Sequence, residues 1–389
     1  MAIATPATDP RPDILSLSLP ALTQALAELG ERPYRAKQVF SWLHKRWALS
    51  FDEMTDLPRS LRAGLAERYR LDPPAIEQVQ VSSDGTRKYK LRTTDGRFVE
   101  SVYMPDEASG RRTLCVSSQV GCAMGCTFCF TATMGLVRHM TPGEIIGEVH
   151  RVNRDLLENA GVPGPRPLTN LVFMGMGEPL HNFDNLKSAL ETLLSNEGPN
   201  FSHRHVTVST SGLVPAIARL GEETEVKLAI SLNATTDEVR DELMPVNRKW
   251  PIEDLMAACR KFPLKQGRRI TFEYVLLAGI NDTDEDAHRL ARLVAGLPAK
   301  VNLIPYNENP GLGFKEPSPE RVEAFRRILD EHRITAPVRK NRGRDISAAC
   351  GQLAVAGQGR DRVIRRPVLP VFAEQAQGET TDIGGLSVV

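Results

Sequence analysis

The chain contains no apolar run approaching the roughly 20 residues that a membrane-spanning helix requires. Its opening stretch, Met1 to Pro12, has neither the apolar core nor the cleavage pattern of a secretory leader. Charge of one sign is equally scarce. The formal net charge of +1 excludes a broadly basic coat for nucleic acid and confines any such contact to local patches. Cysteine is sparse as well: six in 389 residues cannot build a secreted disulfide scaffold. A cytoplasmic protein in a reducing compartment is therefore expected. What the chain does have is bulk, since 41% hydrophobic residues over this length can bury a large core in two or three domains.

Three of the six cysteines, Cys122, Cys126 and Cys129, fall at i, i+4 and i+7 in a glycine-containing stretch ending at Phe130. One inorganic centre can take all three as thiolates, and a cubane iron–sulfur cluster, which needs four ligands, would keep one iron open. Two other readings stand beside this one: a zinc site completed by a histidine such as His139, or three unconnected core cysteines. Zinc sites usually bring thiols as closely spaced pairs, and no second pair follows here.

Along the chain, residues 1–13 are proline-rich and expected to be flexible. Residues 14–75 show helical periodicity over Ala21–Leu29, Arg35–Trp47 and Leu57–Arg68, giving a small helical accessory domain. Arg32, Arg35, Lys37, Lys45 and Arg46 there lie among Tyr34, Phe40, Trp42 and Trp47, a mixture that suits RNA phosphates and bases. Aromatics in a helical segment also serve as core. Residues 76–110 alternate apolar with polar residues around Ser83-Asp84-Gly85 and Thr94-Asp95-Gly96, which predicts an antiparallel β linker. Between residues 111 and 352, strands are expected at 113–117, 170–174, 205–210, 226–232, 269–276 and 300–305, with helices between and after them. Six strand–helix units predict an α/β fold, either a doubly wound parallel sheet or an open barrel. A basic segment from Val338 to Arg344 follows, and residues 353–389 form a tail, disordered beyond Pro367.

Ligands of such sheets sit at the carboxyl ends of the strands. There the chain carries Met174-Gly175-Met176-Gly177-Glu178-Pro179, Ser209-Thr210-Ser211-Gly212, Ser231-Leu232-Asn233 and Pro305-Tyr306-Asn307. Glycines permit close approach of the backbone, and Glu178 can accept hydrogen bonds from an amino group. Each motif taken singly is equally a helix cap or a turn; aimed at one mouth, they favour a bound cofactor. Of the remaining cysteines, Cys259 lies in an amphipathic helix and is most simply a small buried residue. Cys115, on the first barrel strand, and Cys350, after the basic segment, could form a nucleophile and a resolving partner.

Over residues 15–355 the chain resembles the RlmN-type subfamily of radical S-adenosylmethionine (SAM) enzymes. The resemblance rests on the cysteine triad, Leu114-Cys115-Val116-Ser117-Ser118-Gln119, the four strand-end motifs and Arg344-Asp345-Ile346-Ser347-Ala348-Ala349-Cys350. It implies an open radical SAM β/α barrel of six strand–helix units, with the helical domain and β linker in front. It further implies one 4Fe-4S cluster on Cys122, Cys126 and Cys129, and a SAM site lined by Gly177, Glu178, Ser209, Ser231, Leu232, Asn233 and Asn307. Such enzymes use two SAM molecules per turnover, one as methyl donor and one as radical source. The implied substrates are adenine 2503 of 23S rRNA and adenine 37 of some tRNAs, each methylated at carbon-2. Cys350 would carry the methyl group, Cys115 would release the product by forming a disulfide with it, and Glu100 would accept the proton. Ordinary polar transfer fails at that electrophilic carbon, so radical chemistry is the fitting route. An electron donor such as a flavodoxin and a monomeric enzyme are also implied. Arg339, Lys340, Arg342 and Arg344, with the helical domain, are candidates for gripping RNA phosphates. The nearest rival is the Cfr-type carbon-8 methyltransferase, against which Pro179 speaks. A rival of another class, a non-catalytic iron–sulfur RNA-binding protein, leaves an open iron and the pair Cys115 and Cys350 unexplained.

Overall fold

The computed structural model describes residues 9–162, 166–309, 312–339, 342–349 and 351–353. Cys350, Lys340 and the tail beyond residue 353 therefore lie outside the described residues.

Three helices open the fold: α1 (Leu19–Ala27), α2 (Pro33–His44) and α3 (Arg59–Arg68). The Ser18 hydroxyl accepts from the Ala21 amide to cap α1, and prolines stand in the first turns of α1 and α2. Leu22, Leu26, Val39, Phe40, Leu43, Leu61 and Leu65 form a core among the three. Of the two readings open for the aromatics, face or core, Phe40 and Trp47 take the second. Phe40 and Trp47 are 1% and 3% exposed, the Trp42 indole donates to Asp56, and Tyr34 alone of the four stands in solvent. Nor is the chain frayed as far as residue 13: the Arg70 amide donates to the Pro12 carbonyl and the Ile14 amide to that of Arg70, each at 3.0 Å.

The meander follows as β1 (Ala75–Val81), β2 (Arg87–Arg92) and β3 (Phe98–Asp106). Its two turns fall where expected, with Gly85 and Gly96 in the left-handed region. It is not a separate linker, however. Strand β3 pairs antiparallel with β4 (Arg111–Cys115), so the meander prolongs the main sheet.

A small hairpin, β5 (Gln119–Gly121) with β6 (Leu136–His139), follows β4 and encloses the short helix α4 (Phe130–Thr133). The chain then alternates α5 (Pro142–Glu158), β7 (Asn170–Phe173), α6 (Phe183–Leu194), β8 (Val206–Thr210), α7 (Val214–Glu223) and β9 (Lys227–Ser231). It continues with α8 (Asp237–Leu243), α9 (Ile252–Lys261), β10 (Ile270–Leu276), α10 (Asp284–Val294), β11 (Ala299–Pro305) and α11 (Pro319–Glu331). The sheet order is β1-β2-β3-β4-β7-β8-β9-β10-β11, with β4 through β11 all parallel. Because side chains alternate along each strand, Leu171, Val208, Leu228, Ile230, Phe272 and Leu303 face the helices and are buried. The residues between them line the inner face of an open barrel.

The helical domain is seated on α5. The Gly143 amide donates to the Ser16 hydroxyl at 2.9 Å, His150 Nε2 donates to the Ala48 carbonyl at 3.0 Å, and Arg154 pairs with Glu53 at 3.0 Å. The Trp47 indole packs edge-on against the His150 ring, also buried.

Candidate active site

The cysteine loop hangs from the β5–β6 hairpin. Gly121 lies at φ +75°, where a Cβ would meet the Gly135 carbonyl oxygen at 1.9 Å, so glycine is required for the chain to cross here. Beyond it the Cys122 amide donates to the Gly135 carbonyl at 3.0 Å, and the Cys129 amide to that of Cys126 at 3.2 Å. The loop is braced from outside by Leu243, whose carbonyl accepts from the Thr127 amide, and by Gly351, whose carbonyl accepts from the Phe130 amide at 2.7 Å.

This loop forms one wall of an open cleft with a cavity volume of about 160 Å³. Cys122, Cys126 and Cys129 line it together with Gly177, Glu178, Ser209, Ser231, Asn233 and Asn307, so nine of the expected ligand residues meet in one place. The residue type and burial fit an iron–sulfur cluster. Burial pushes the Cys122 thiol up to about 12 and Cys126 well above its ordinary value, and each is raised further by the neighbouring thiols. Such groups hold their protons unless a metal supplies compensating charge. Among the described residues no three acidic, histidine or cysteine side chains are gathered as around a single ion. A cubane binds each thiolate through a different iron, so its ligands stand apart from one another.

The other wall is built from satisfied polar groups. The Glu178 carboxylate is buried, which raises its pKa, and it accepts from the amides of Leu180 at 3.0 Å and Ser211 at 2.8 Å. Gly177, at φ +98°, makes this possible: a Cβ there would lie 2.5 Å from that of Gln119, whose side-chain carbonyl accepts from the Glu178 amide at 2.8 Å. The glycine that sequence suggested for approach to a ligand thus also closes the turn onto residues 117–119. The hydroxyls of Ser209 and Ser231 lie 3.5 Å apart across β8 and β9. Asn233, in the left-handed region, accepts from the Val275 amide at 2.9 Å, and Asn307 accepts from Arg344 at 3.0 Å. Leu232 does not line the cleft; it is buried, its amide donating to the Glu273 carbonyl and its carbonyl accepting from Arg240.

Arg240 is the residue that sequence reasoning missed. Fully buried on α8, it donates to the carbonyls of Leu232 at 3.0 Å, Ser211 at 2.6 Å and Ser231 at 3.2 Å, and to Asn247 at 2.9 Å. It therefore fastens the ends of β8 and β9 behind the cleft. Burial lowers its pKa to about 10, and nearby Cys126 opposes that shift. Its neighbours Asp237, Glu238, Asp241 and Glu242 make the helix look like a solvated one, and no sequence signal marks it.

A second, smaller cavity adjoins the cleft through Met174, Ile304 and Arg339, which line both. Cys115 lines it, with Ala348 and Ala349. Glu100 is buried on β3, where Lys88 lies 3.6 Å from its carboxylate; it is not among the residues lining either space. Beneath it, the Ser117 hydroxyl donates to the Glu100 carbonyl at 2.7 Å. The Ser117 amide and the Ser101 hydroxyl donate to Glu148, a fully buried carboxyl that burial pushes up to about 8. The segment before residue 350 is docked on the meander: Asp345 accepts from the Ser82 hydroxyl at 2.5 Å and the Ser83 amide at 3.2 Å. The basic residues nearby are engaged by carboxylates, Arg339 with Glu273, Arg342 with Asp106 and Arg344 with Glu316.

An open β/α barrel with three cysteines at one mouth defines a radical SAM enzyme, and the radical SAM superfamily model matches residues 116–291. A model described as the ribosomal RNA large subunit methyltransferase N-terminal domain matches residues 12–71. The dual-specificity RNA methyltransferase RlmN of Anaeromyxobacter dehalogenans is 64% identical over 90% of this chain and 93% of its own. RlmN 2 of Myxococcus xanthus is 61% identical over 92% and 96%. A radical SAM methyltransferase from Sphaerobacter thermophilus superposes with a TM-score of 0.83 at 48% identity, covering 88% of this chain and 99% of that one. The chain belongs to the RlmN family of radical SAM RNA methyltransferases.

Proposed function

We propose that this enzyme methylates carbon-2 of adenine 2503 in 23S rRNA and of adenine 37 in tRNA, through a methyl group carried on Cys350. The observation that carries the reading is the position of the flanking residues: Ala348 and Ala349 line the cavity of Cys115, while Gly351 lines the cleft of the cysteine triad. Residue 350 joins the two in sequence. Cys122, Cys126 and Cys129 would hold one 4Fe-4S cluster, which with SAM supplies the radical chemistry that no side chain can. Glu178, Ser209, Ser231, Asn233 and Asn307 offer the acceptors and hydroxyls to orient SAM, and the Leu232 backbone holds the strand end from behind. Cys115 is the resolving thiol. Its thiolate would bond to the Cys350 sulfur as the bond between that sulfur and the product's methylene carbon breaks; the carbon keeps the electron pair and takes a proton to become the methyl group, and Glu100 would accept the proton lost from carbon-2 of the ring. The resulting disulfide and the cluster both need electrons from a donor such as a flavodoxin. A monomer suffices for this chemistry.

Peptide mass spectrometry of the purified enzyme tests the reading. Methyl on Cys350 in the wild type, and RNA cross-linked to Cys350 in Cys115→Ala, are expected. An unmethylated Cys350 in enzyme that holds cluster and SAM would overturn the methyl-carrier route, and an 8-methyladenosine product would overturn the carbon-2 assignment.

A further inference from the structure

The amino ends of the parallel strands carry a different chemistry from the carboxyl ends. Arg111 opens β4, Arg204 precedes β8, Lys227 opens β9, Arg268 and Arg269 precede β10, and Lys300 is the second residue of β11. Among the described residues none of the six pairs with a carboxylate. Arg268 donates to the Glu225 carbonyl oxygen and Arg269 to the Thr335 hydroxyl. The nearby carboxylates are engaged elsewhere, Glu225 with Lys265 and His203, and Glu273 with Asn302 and Arg339. Burial holds Lys227 below its ordinary pKa, and the charges of Lys300, Arg111, Arg268 and Arg204 lower it further. Lys300 is lowered by burial, with Glu273 opposing and Arg339, Arg111 and Arg269 adding to the effect. A folded chain that leaves cations to repel one another in this way gives up stability, which is a frequent mark of a binding surface.

Strand alternation puts this patch on the same face as the active-site cleft. Lys227 shares its face of β9 with Ser231, four residues and about 13 Å further along. Lys300 shares its face of β11 with Ile304, and Arg111 its face of β4 with Cys115. Between floor and cleft that face carries the half-buried Thr113, Thr207, Thr271 and Asn302, beside Val172, Ala229 and the buried Glu273, where a closed barrel would hold mostly branched apolar residues.

We propose that this floor is a phosphate-binding track, along which the RNA strand next to the target adenine is drawn through the open barrel toward the cleft. The proposal rests on the reading that the substrate is RNA. A single strand is the fitting polyanion because the two lysines are half-buried, within reach of a thin flexible chain. A folded acidic protein could press only on the rim. Of the residues flagged earlier for RNA, Lys37, Arg46, Arg342 and Arg344 each already hold a carboxylate and are poorer candidates.

The test uses the full chain with its cluster, a fluorescent RNA hairpin with an adenine in its loop, and binding measured across a salt series. Lys227→Gln with Lys300→Gln should weaken binding roughly tenfold and flatten the slope of log affinity against log salt by about 0.7 per cation removed. SAM affinity and cluster absorbance should stay as in wild type, and Lys227→Arg with Lys300→Arg should restore RNA binding. Wild-type affinity and slope in the double Gln variant would overturn the proposal. So would loss of binding to an acidic flavoprotein with RNA binding intact, which would make the floor a donor-docking site. A wild-type enzyme that binds no hairpin at any salt would instead overturn the RNA reading beneath it.

Discussion

The two ends of the same parallel strands solve opposite problems. At the carboxyl ends polar groups are buried and matched: Glu178 holds two amides, Arg240 three carbonyls, and Asn233 an amide of the next strand. At the amino ends cations face one another, and among the described residues none of them is ion-paired with a carboxylate, though Glu273 acts on Lys300 from a distance. A small cofactor has to be met by donors and acceptors fixed before it arrives, because an unmatched buried group costs free energy whether or not the cofactor is bound. A polyanion supplies its own compensating charge, so its site can stay electrostatically unsatisfied until occupied.

The largest effects should come from breaking the matched end. Replacing Cys126 by Ala should drop iron from about four per chain to almost none, measured by iron analysis of the reconstituted protein. Arg240→Met takes the guanidinium from the buried carbonyls of Ser211 and Ser231 and leaves that of Leu232 only the Ala234 amide, and should cost about 3–5 kcal/mol in chemical denaturation together with most SAM affinity. If Arg240→Met unfolds like wild type, the matched network is not what holds the strand ends. Asp345→Ala should release the segment before Cys350 from the meander. Limited proteolysis between residues 343 and 353 should speed up, and the methylated fraction of Cys350 should fall severalfold, while iron content is kept.

Smaller effects should appear at the other end, with reversed sign. Lys227→Gln should raise the melting temperature by about 1–2 °C at neutral pH by removing repulsion. Because the folded pKa is depressed, the wild-type lysine gains its full stability only above its ordinary value of 10.5 and loses it as pH falls through the folded value. The advantage of the variant should therefore vanish above that pH. Glu148 is one exception at the matched end, beside Ser211 Oγ and Glu273 Oε2, for one of its oxygens has no hydrogen-bond partner. Its folded pKa of about 8 lies above the ordinary 4.5, so its contribution is complete below 4.5 and lost as pH rises through 8. Glu148→Gln should melt with wild type at pH ~5 and above it at pH ~9.

The matched end was largely legible from sequence because its motifs are contiguous and sit where strand periodicity stops: the cysteine triad, Gly177-Glu178 and Ser231-Leu232-Asn233 all announce themselves. The six barrel strands were legible for the same reason. The hairpin β5–β6 and helix α4 were not, since three or four residues carry no measurable period. The floor was invisible because its cations are spread over nearly two hundred residues and are gathered only by parallel register. For the aromatics in and just after α2, adjacency in sequence left face and core both open, and Phe40 and Trp47 turn inward to the core.

The bonds from α5 to Ser16, Ala48 and Glu53 bear on how this architecture can be inherited. The barrel helix that follows the cysteine loop uses the front helices as its wall, so the two are not detachable modules. A gene that lost its first seventy codons would expose the buried His150 along with the apolar flank around it, and would encode an insoluble barrel rather than a smaller enzyme with narrower substrate choice. Exchange by recombination at that junction should succeed only between genes whose α5 surfaces already match, tying the ancestry of the front helices to that of the radical chemistry behind them.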